Sequence, residues 1–476
     1  MKLKTLSTAM ILATVPMTGA FAAAMDRSGQ SVSAFLQPGN YFEAGVSVLD
    51  PNVSGKEAGT STTRRNIEDM GKGYYFPNAA IKIQINDKFS FGLLYDQPFG
   101  AKAEYTGDNV FVSSPGNDVV LGAAAIDGII TKKAAQYLAS QGVNNPTQAQ
   151  IDAVKPVIAG QLDPVLTNAN NSLGEGRTQV DVHTDNLSFI FGYQPIENLN
   201  VYAGPVYQRA RGDVHLRGQA YSLFNGYDAR IKETGEVGWL GGVAYQIPDI
   251  ALKTSLTYRS KIKHKAKTDE SLALLDNMNP AALQALLKDG IGLNDEQIAS
   301  LGKKGKTEIT TPQSVNLDFQ SGIMENTVAF LNVRWVDWSS FSIQPTQFGN
   351  ISKAVGGLVK KPDGFNLVQY SKDQWSVNTG LGRKFTDKWA GNFSVGWDSG
   401  AGNPVTTLGP TKGFWSLGLG GQYSPAKDYF LQAGIRYFWL GDAKAQTGAQ
   451  ADTPEYVAKF EKNYAIGYAV KIGYRF

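Results

Sequence analysis

Cysteine is absent from all 476 residues, which excludes disulfide frameworks, thiolate catalysis and cysteine-ligated metals. The absence also suits a chain that crosses an oxidising compartment and must fold there without stray pairing. Histidine is scarce, with His183, His215 and His264 the three copies, and no Gly-rich phosphate loop or metal-ligand spacing is present. Charge excess is lacking too. The 45 basic and 42 acidic residues leave a net of +3, so nothing points to nucleic acid as a partner. Beyond the N-terminus no apolar run reaches the ~18 residues that a membrane-crossing helix needs. Hydrophobic residues make up 42% of the chain. A transmembrane barrel tolerates that figure, because every second strand residue faces away from lipid.

What is present is glycine (52 residues), aromatic side chains (11%) and a regular alternation. The first residues read as a targeting signal: Lys2 and Lys4 precede the apolar Met10-Ile11-Leu12-Ala13-Thr14-Val15. Ala20-Phe21-Ala22 and Ala22-Ala23-Ala24 offer cleavage sites, so residues 1–24 are expected to be a signal peptide. At the other end, Tyr464 through Phe476 puts large apolar or aromatic residues at even positions and small or basic ones at odd positions. Such period-2 alternation is what a lipid-facing strand requires.

The same scheme repeats upstream. Strand pairs 74–85 and 89–97, 187–193 and 201–208, 237–246 and 251–258, 375–385 and 389–398, and 414–423 and 430–440 flank short turns such as Asn86-Asp87-Lys88 and Thr386-Asp387-Lys388. Their Asn, Asp, Pro and Gly content is that of tight hairpins. With 41–49, 314–322 and 326–338 the count is about fourteen, and every backbone group in hydrocarbon must be paired, so the sheet has to close. The expected fold is therefore all-β, a closed antiparallel transmembrane β-barrel of about fourteen strands. Trp335, Trp338, Trp389, Tyr437 and Phe438, near strand ends, are expected in the interfacial girdles. The long connections fall on the opposite, extracellular side. Those near 108–176 and 270–308 carry helical patterning, with Ile129, Ala134, Leu138, Ile151, Val154, Ile158 and Leu162 in the first. Either these faces pack locally over the barrel mouth, or they form a landing groove for a lipid-like molecule.

A terminal Phe476 on such a strand resembles the sorting signal of bacterial outer-membrane barrels. The ordered set Ala44-Gly45-Val46 with Asp50-Pro51-Asn52, Phe76-Pro77-Asn78, Leu256-Thr257-Tyr258-Arg259-Ser260, Trp338-Ser339-Ser340-Phe341, Trp397-Asp398-Ser399 and Phe414-Trp415-Ser416-Leu417 resembles the FadL/TodX family of outer-membrane hydrophobic-compound transporters. The resemblance implies a barrel blocked by an N-terminal plug, here the short segment 25–40 with Phe35 and Leu36 as anchors and without the family's Asn-Pro-Ala; the barrel itself would occupy 41–476. It also implies a sideways exit where the third strand kinks. Here that strand reads Leu94-Tyr95-Asp96-Gln97-Pro98-Phe99-Gly100-Ala101. Pro98 cannot donate a ladder bond and Gly100 permits unusual backbone angles, so Pro98, Phe99 and Gly100 are the expected lateral gate, with a twist-adding bulge as the alternative. Arg217 and Lys372 fall at positions similar to the family's carboxylate-binding pair, where a guanidinium suits a fatty-acid head group.

The function implied is passive carriage of hydrophobic small molecules, long-chain fatty acids first, by a monomer surrounded by outer-membrane lipid and lipopolysaccharide and needing no cofactor. An open aqueous porin shares most of these features. An outer-membrane hydrolase would need a His base held by a carboxylate. Asp181, His183 and Asp185 share a strand face and are the candidate cluster, more often found as a solvated strand end.

Overall fold

The computed structural model describes residues 25–476; the signal peptide expected over 1–24 lies outside the described residues. The wall is a closed antiparallel barrel of fourteen strands, five of them interrupted once. These are β1 (Tyr41–Asn52), β2 (Tyr74–Gln84), β3 (Phe89–Asp96, resuming as Gly100–Glu104), β4 (Gln179–Ile196), β5 (Leu199–Leu216) and β6 (Tyr227–Ile247). There follow β7 (Leu252–Arg259, resuming as Ile262–Leu272), β8 (Lys306–Thr311, resuming as Ser314–Met324), β9 (Thr327–Val336, resuming as Ser342–Ile343) and β10 (Val368–Gln369, resuming as Gln374–Lys384). The last four are β11 (Trp389–Asp398), β12 (Phe414–Tyr423), β13 (Tyr429–Leu440) and β14 (Tyr464–Arg475). Closure is made by β1 on β14, in register from Tyr41↔Arg475 to Asn52↔Tyr464.

Alternation sets the two faces of the wall. On β14 the side chains of Tyr468, Val470, Ile472 and Tyr474 point outward, while Ala465, Ala469 and Lys471 are buried inward. The exposed face is the apolar one, as immersion in lipid demands. The short turns are held by their own side chains. Asn86 Oδ1 accepts from the amides of Lys88 and Phe89, both at 2.9 Å, and Thr386 Oγ1 does the same for Lys388 and Trp389 at 3.2 and 3.1 Å.

Strands β4, β5 and β6 extend beyond their greasy cores on the long-loop side. Ladder pairing of β4 with β5 continues through His183↔Arg211 to Gln179↔His215. There Asp181, His183, Arg211, Asp213 and His215 take the outward face while Val180 and Val214 stay buried inside, so the greasy outer face stops before the hydrogen bonding does. Above the wall, helices α1 (Ala123–Ser140) and α2 (Gln148–Asn170) pack through Ile129, Ala134, Ile158 and Leu162, all buried. A third helix, α3 (Thr346–Val355), lies in the 344–367 connection, and its first amides at Gln347 and Phe348 donate to the buried Glu270 carboxylate at 3.0 and 2.9 Å. A small separate sheet of loop segments (Gly55–Glu57, Asn66–Ile67, Val405–Thr406, Ala443–Gln446 and Ala458–Phe460) completes the cap.

Two girdle expectations are corrected. Trp338 is fully buried inside, edge-on to Phe99 at 5.5 Å with its indole N–H donating to Gln374 Oε1 at 2.7 Å. Phe438 is likewise fully buried, on the same face of β13 as Arg436 and Gln432. For Phe438 strand phase, not nearness to a strand end, decides the face; Trp338 lies in a helical turn, Trp338–Ser340, that interrupts β9. Trp389, by contrast, is exposed on the outside.

Candidate functional site

The wall's ladders lapse over a long stretch in two places: between β6 and β7, where pairing stops at Leu240↔Arg259 and resumes at Ile231↔Thr268, and between β2 and β3. The β2–β3 ladder runs from Gln84↔Ser90 to Ala79↔Tyr95 and stops; an isolated bridge, Gly71↔Ala103, resumes it in the same register. Residues 72–78 and 96–102 between these points form no ladder pair with each other. On its other side β3 stays attached to β4, with a one-residue shift between Asp96↔Asn186 and Gly100↔His183. Gln97, Pro98 and Phe99 are therefore a bulge toward β4 and an open stretch toward β2. Pro98 supplies the local cause, because it has no N–H for β2.

The bonds that β2 does not make to β3 are made from inside. Residues 25–40 run up the lumen from the start of β1. Phe99 bridges Asp26, Pro98 O accepts from Arg27 N at 2.6 Å, and Gly100 N donates to Met25 O at 2.8 Å. Lower down, Phe35 is fully buried against Tyr202, and Leu36 beside it is 3% exposed. The wall makes room for that ring. A Cβ on Gly92 or Gly192 would stand 2.5 or 2.8 Å from Phe35 ring atoms. The backbone carbonyls of Leu36 and Gln37 take the ammonium groups of Lys253 and Lys82 at 3.1 and 2.8 Å.

The middle of the segment is held by charge. Arg334, on β9, donates to both Asp26 oxygens at 2.7 and 3.1 Å, to Gln30 Oε1 at 2.9 Å and to Asn316 Oδ1 at 2.7 Å. Both members of the ion pair have side chains 2% exposed. Such a pair holds only if its remaining polar atoms are met, as they are here.

Two cavities flank this segment. A small apolar one is walled by Met25, Phe99, Ile231, Ile309, Trp338 and Phe341. The other is more polar, with Ser28, Asn78, Asp96, Asp318 and Lys471 among its walls, and it reaches the unpaired stretch at Phe76, Pro77 and Gln97. Met25 and Phe99 belong to the first and Ser28 and Gln97 to the second, so residues 25–28 and the β3 break are the partition between them.

At that partition lies Arg27, a residue the sequence reading passed over. It is 1% exposed, and its guanidinium carbon stands 3.8 Å from the centre of the Tyr74 ring. Tyr74 is the β2 residue that unbroken register would set opposite Gly100. Nε and Nη2 of Arg27 have no hydrogen-bond partner among the described residues. No sequence signal marks it, since Met25-Asp26-Arg27-Ser28 reads as a polar leader.

The residues expected to bind a carboxylate are elsewhere. Arg217 gives Nη2 to both oxygens of Asp228 at 2.8 and 3.1 Å and Nε to the Glu175 carbonyl at 2.8 Å, so its donors are engaged. Lys372 is exposed just before the main stretch of β10. Its neighbour Asp373 accepts from Trp335 Nε1 at 3.0 Å and Ser339 N at 3.1 Å. Partial burial pushes the Asp373 carboxyl up, and these hydrogen bonds outweigh it and hold the group below the usual carboxylate range. Neither Arg217 nor Lys372 lines either cavity. The Asp-His-Asp cluster divides. His183 Nε2 pairs with Asp181, whereas Asp185 accepts from Tyr95 Oη at 2.7 Å and Gln97 Nε2 at 2.9 Å. Among the described residues no group of acidic or histidine side chains is spaced to hold a metal ion.

A family model described as outer membrane protein transport protein (OMPP1/FadL/TodX) matches residues 167–476. The chain belongs to this family. It is thus an outer-membrane transport protein, and the FadL/TodX family consists of transporters of hydrophobic compounds. Among curated proteins none matches this sequence. Solved FadL/TodX structures share its fold at low identity. A FadL homologue from Pseudomonas aeruginosa is 14% identical, with 97% of this chain and 98% of that one covered and a TM-score of 0.62. The toluene transporter TodX of Pseudomonas putida is 12% identical over 99% of this chain and 97% of its own, with a TM-score of 0.54. The toluene transporter TbuX of Ralstonia pickettii is 12% identical over 97% and 98%, with a TM-score of 0.51.

Proposed function

We propose that this FadL/TodX member carries long-chain fatty acids inward by passive diffusion and releases them sideways between β2 and β3. The observation that carries the reading is the unpaired stretch of wall beside two internal cavities, where only the N-terminal segment completes the edge of β3. A tail enters the apolar cavity from the capped side, passes the Met25–Phe99 partition, and leaves through the gap into the membrane. Downstream consumption of substrate would pull transport inward.

An open aqueous porin fits less well, because the segment 25–40 and its buried ion pair occupy the lumen. The aromatic lining of Phe99, Trp338 and Phe341 supports a second reading, carriage of small aromatic hydrocarbons. Influx into proteoliposomes tests all three. Saturable influx of oleate without conductance for small sugars is expected. Toluene influx without oleate influx would move the assignment to aromatic compounds, and sugar conductance would move it to the porin.

A further inference from the structure

Above the hydrocarbon the outer face of the wall is free to carry charge, and on β7 that charge is of one sign. The greasy outer face of β5, β6 and β7 ends near exposed Tyr207 and Trp239, with the Tyr258 ring 5.0 Å from that of Trp239. Aromatic rings at such a level mark the boundary between membrane and water. Just above them β7 is interrupted at Ser260 and Lys261, and its side-chain phase reverses. Before the interruption Leu256 faces out and Thr257 and Arg259 are buried. After it Ile262, His264 and Ala266 are buried, while Lys261, Lys263, Lys265 and Lys267 are exposed. Alternate residues of a strand lie about 6.8 Å apart on one face, so these lysines rise in a stripe from the girdle toward the long loops.

Neighbouring carboxylates do not balance the stripe. Glu308 on β8 is paired with Lys263, Asp269 with Lys232, Glu233 with Arg209 and Asp213 with Arg230. Lys261, Lys265, Lys267 and Lys306 have no ion-pair partner among the described residues. Register sets Lys267 directly opposite Lys306, and like charges facing each other across a ladder repel. The lapse between β6 and β7 falls at the same height. There residues 232–238 and 261–267 form no ladder pair with each other. Backbone groups left open in this way need water or hydroxyl groups nearby, which a hydrated head-group layer supplies and hydrocarbon does not.

We propose that this face docks lipopolysaccharide: the lysine stripe receives the phosphate groups of lipid A in the outer leaflet, with the acyl chains against the apolar wall below. The occupant follows from position and charge. The stripe is continuous with the lipid-facing wall, stands at head-group height, and offers unpaired positive charge to a lipid whose head carries phosphate. Each lysine near an anionic membrane surface adds to the attraction. A phosphate between Lys267 and Lys306 turns their repulsion into two attractive contacts. The proposal concerns the outer wall and holds for any substrate the lumen carries.

The test is equilibrium binding of fluorescent, doubly phosphorylated lipid A to the full, detergent-folded protein. EDTA is present, so that no divalent cation bridges phosphate to carboxylate. Dephosphorylated lipid A, with the same sugars and chains, is the paired probe. Wild type is compared with the triple variant Lys265→Gln, Lys267→Gln, Lys306→Gln, and with the same three positions changed to Arg. Lys388→Gln with Lys427→Gln, in exposed short turns at the opposite rim, is the control, and each protein is verified as folded by heat-modifiable mobility. The glutamine triple is expected to weaken lipid A binding by on the order of tenfold, with the arginine triple and the control within about twofold of wild type. Wild type should bind the dephosphorylated lipid about tenfold more weakly, and its hold on lipid A should fall as sodium chloride is added. Equal binding of the two lipids by wild type would overturn the proposal, as would a glutamine triple that binds like wild type. A comparable loss in the opposite-rim control would reduce the effect to overall charge, and the site falls. Displacement of lipid A by millimolar inorganic phosphate would make the stripe a free-phosphate site, and the lipid assignment falls. If the glutamine triple does not fold, the paired lipids and the salt dependence decide with wild type alone.

Discussion

At position 100 the chain has no side chain where Arg27 and the Val182 carbonyl oxygen, 2.6 Å from a Cβ built there, crowd the backbone. A β-branched replacement must push the guanidinium and the strand apart. Gly100→Val is expected to fold and to cut oleate influx into proteoliposomes severalfold; influx at the wild-type rate would mean that the gap is not a route. Arg334 sits at the other extreme, with every donor group used. Arg334→Gln strands Asp26 without its cation in a buried site, a change expected to cost on the order of 3–5 kcal/mol. The check is a urea unfolding curve in lipid vesicles, with protease access to residues 25–40 as the companion measurement. If that segment stays protected and the midpoint does not move, the ion pair is not what anchors it. Arg334 does not announce itself in the sequence. Gly100 was singled out for backbone freedom, whereas its decisive property is the space it leaves. Arg217 looked like a free guanidinium because Asp228 lies eleven residues away on the adjoining strand, a pairing that only register reveals.

Among elements, the N-terminal segment behaves as a strand that does not span. It pairs with the broken edge of β3 at one end and drives an aromatic anchor into the wall at the other. Phe35→Ala removes that anchor and is expected to cost about 3–5 kcal/mol. Gly192→Leu should mimic it by occupying the ring's position. Planar-bilayer recordings would register both as added ion conductance through a loosened lumen, and electrically silent variants would argue against a blocking role. Hairpins were the most legible elements, because alternation and turn chemistry act locally. The upper halves of β4, β5 and β6 were not, since outside lipid no apolar face is required and the ladder alone continues. Helix α3 was missed for a related reason: its buried residues Phe348, Ile351 and Val355 are few, and its start is set by Glu270 from β7, far away in sequence. The apolar faces of α1 and α2 were read correctly as faces, and they spend themselves largely on each other and on the cap.

For the whole molecule, inversion is the governing feature: greasy outside, polar within. The outward positions of β12, Trp415, Leu417 and Leu419, are exposed, while Phe414 and Ser416 are buried. Leu419→Arg puts a charge in hydrocarbon and is expected to destabilise by about 2–4 kcal/mol, read from unfolding in lipid vesicles. A loss much smaller than this would place Leu419 near a headgroup region instead. Strand number and closure were legible because every strand must satisfy the same lipid. Pocket walls were not, because they come from interrupted positions on strands far apart in the chain.

Identical register above and below the gap has one more consequence. Were the seam to open by slippage, each neighbouring strand would have to trade partners, and the whole hoop would be re-laced at every turn. Here the lacing is unchanged on both sides of the eyelet. It can widen or draw shut by exchanging a few knots with the inner thread, without re-lacing the strands beside it, so the barrel can pass a molecule through its side without ceasing to be a barrel.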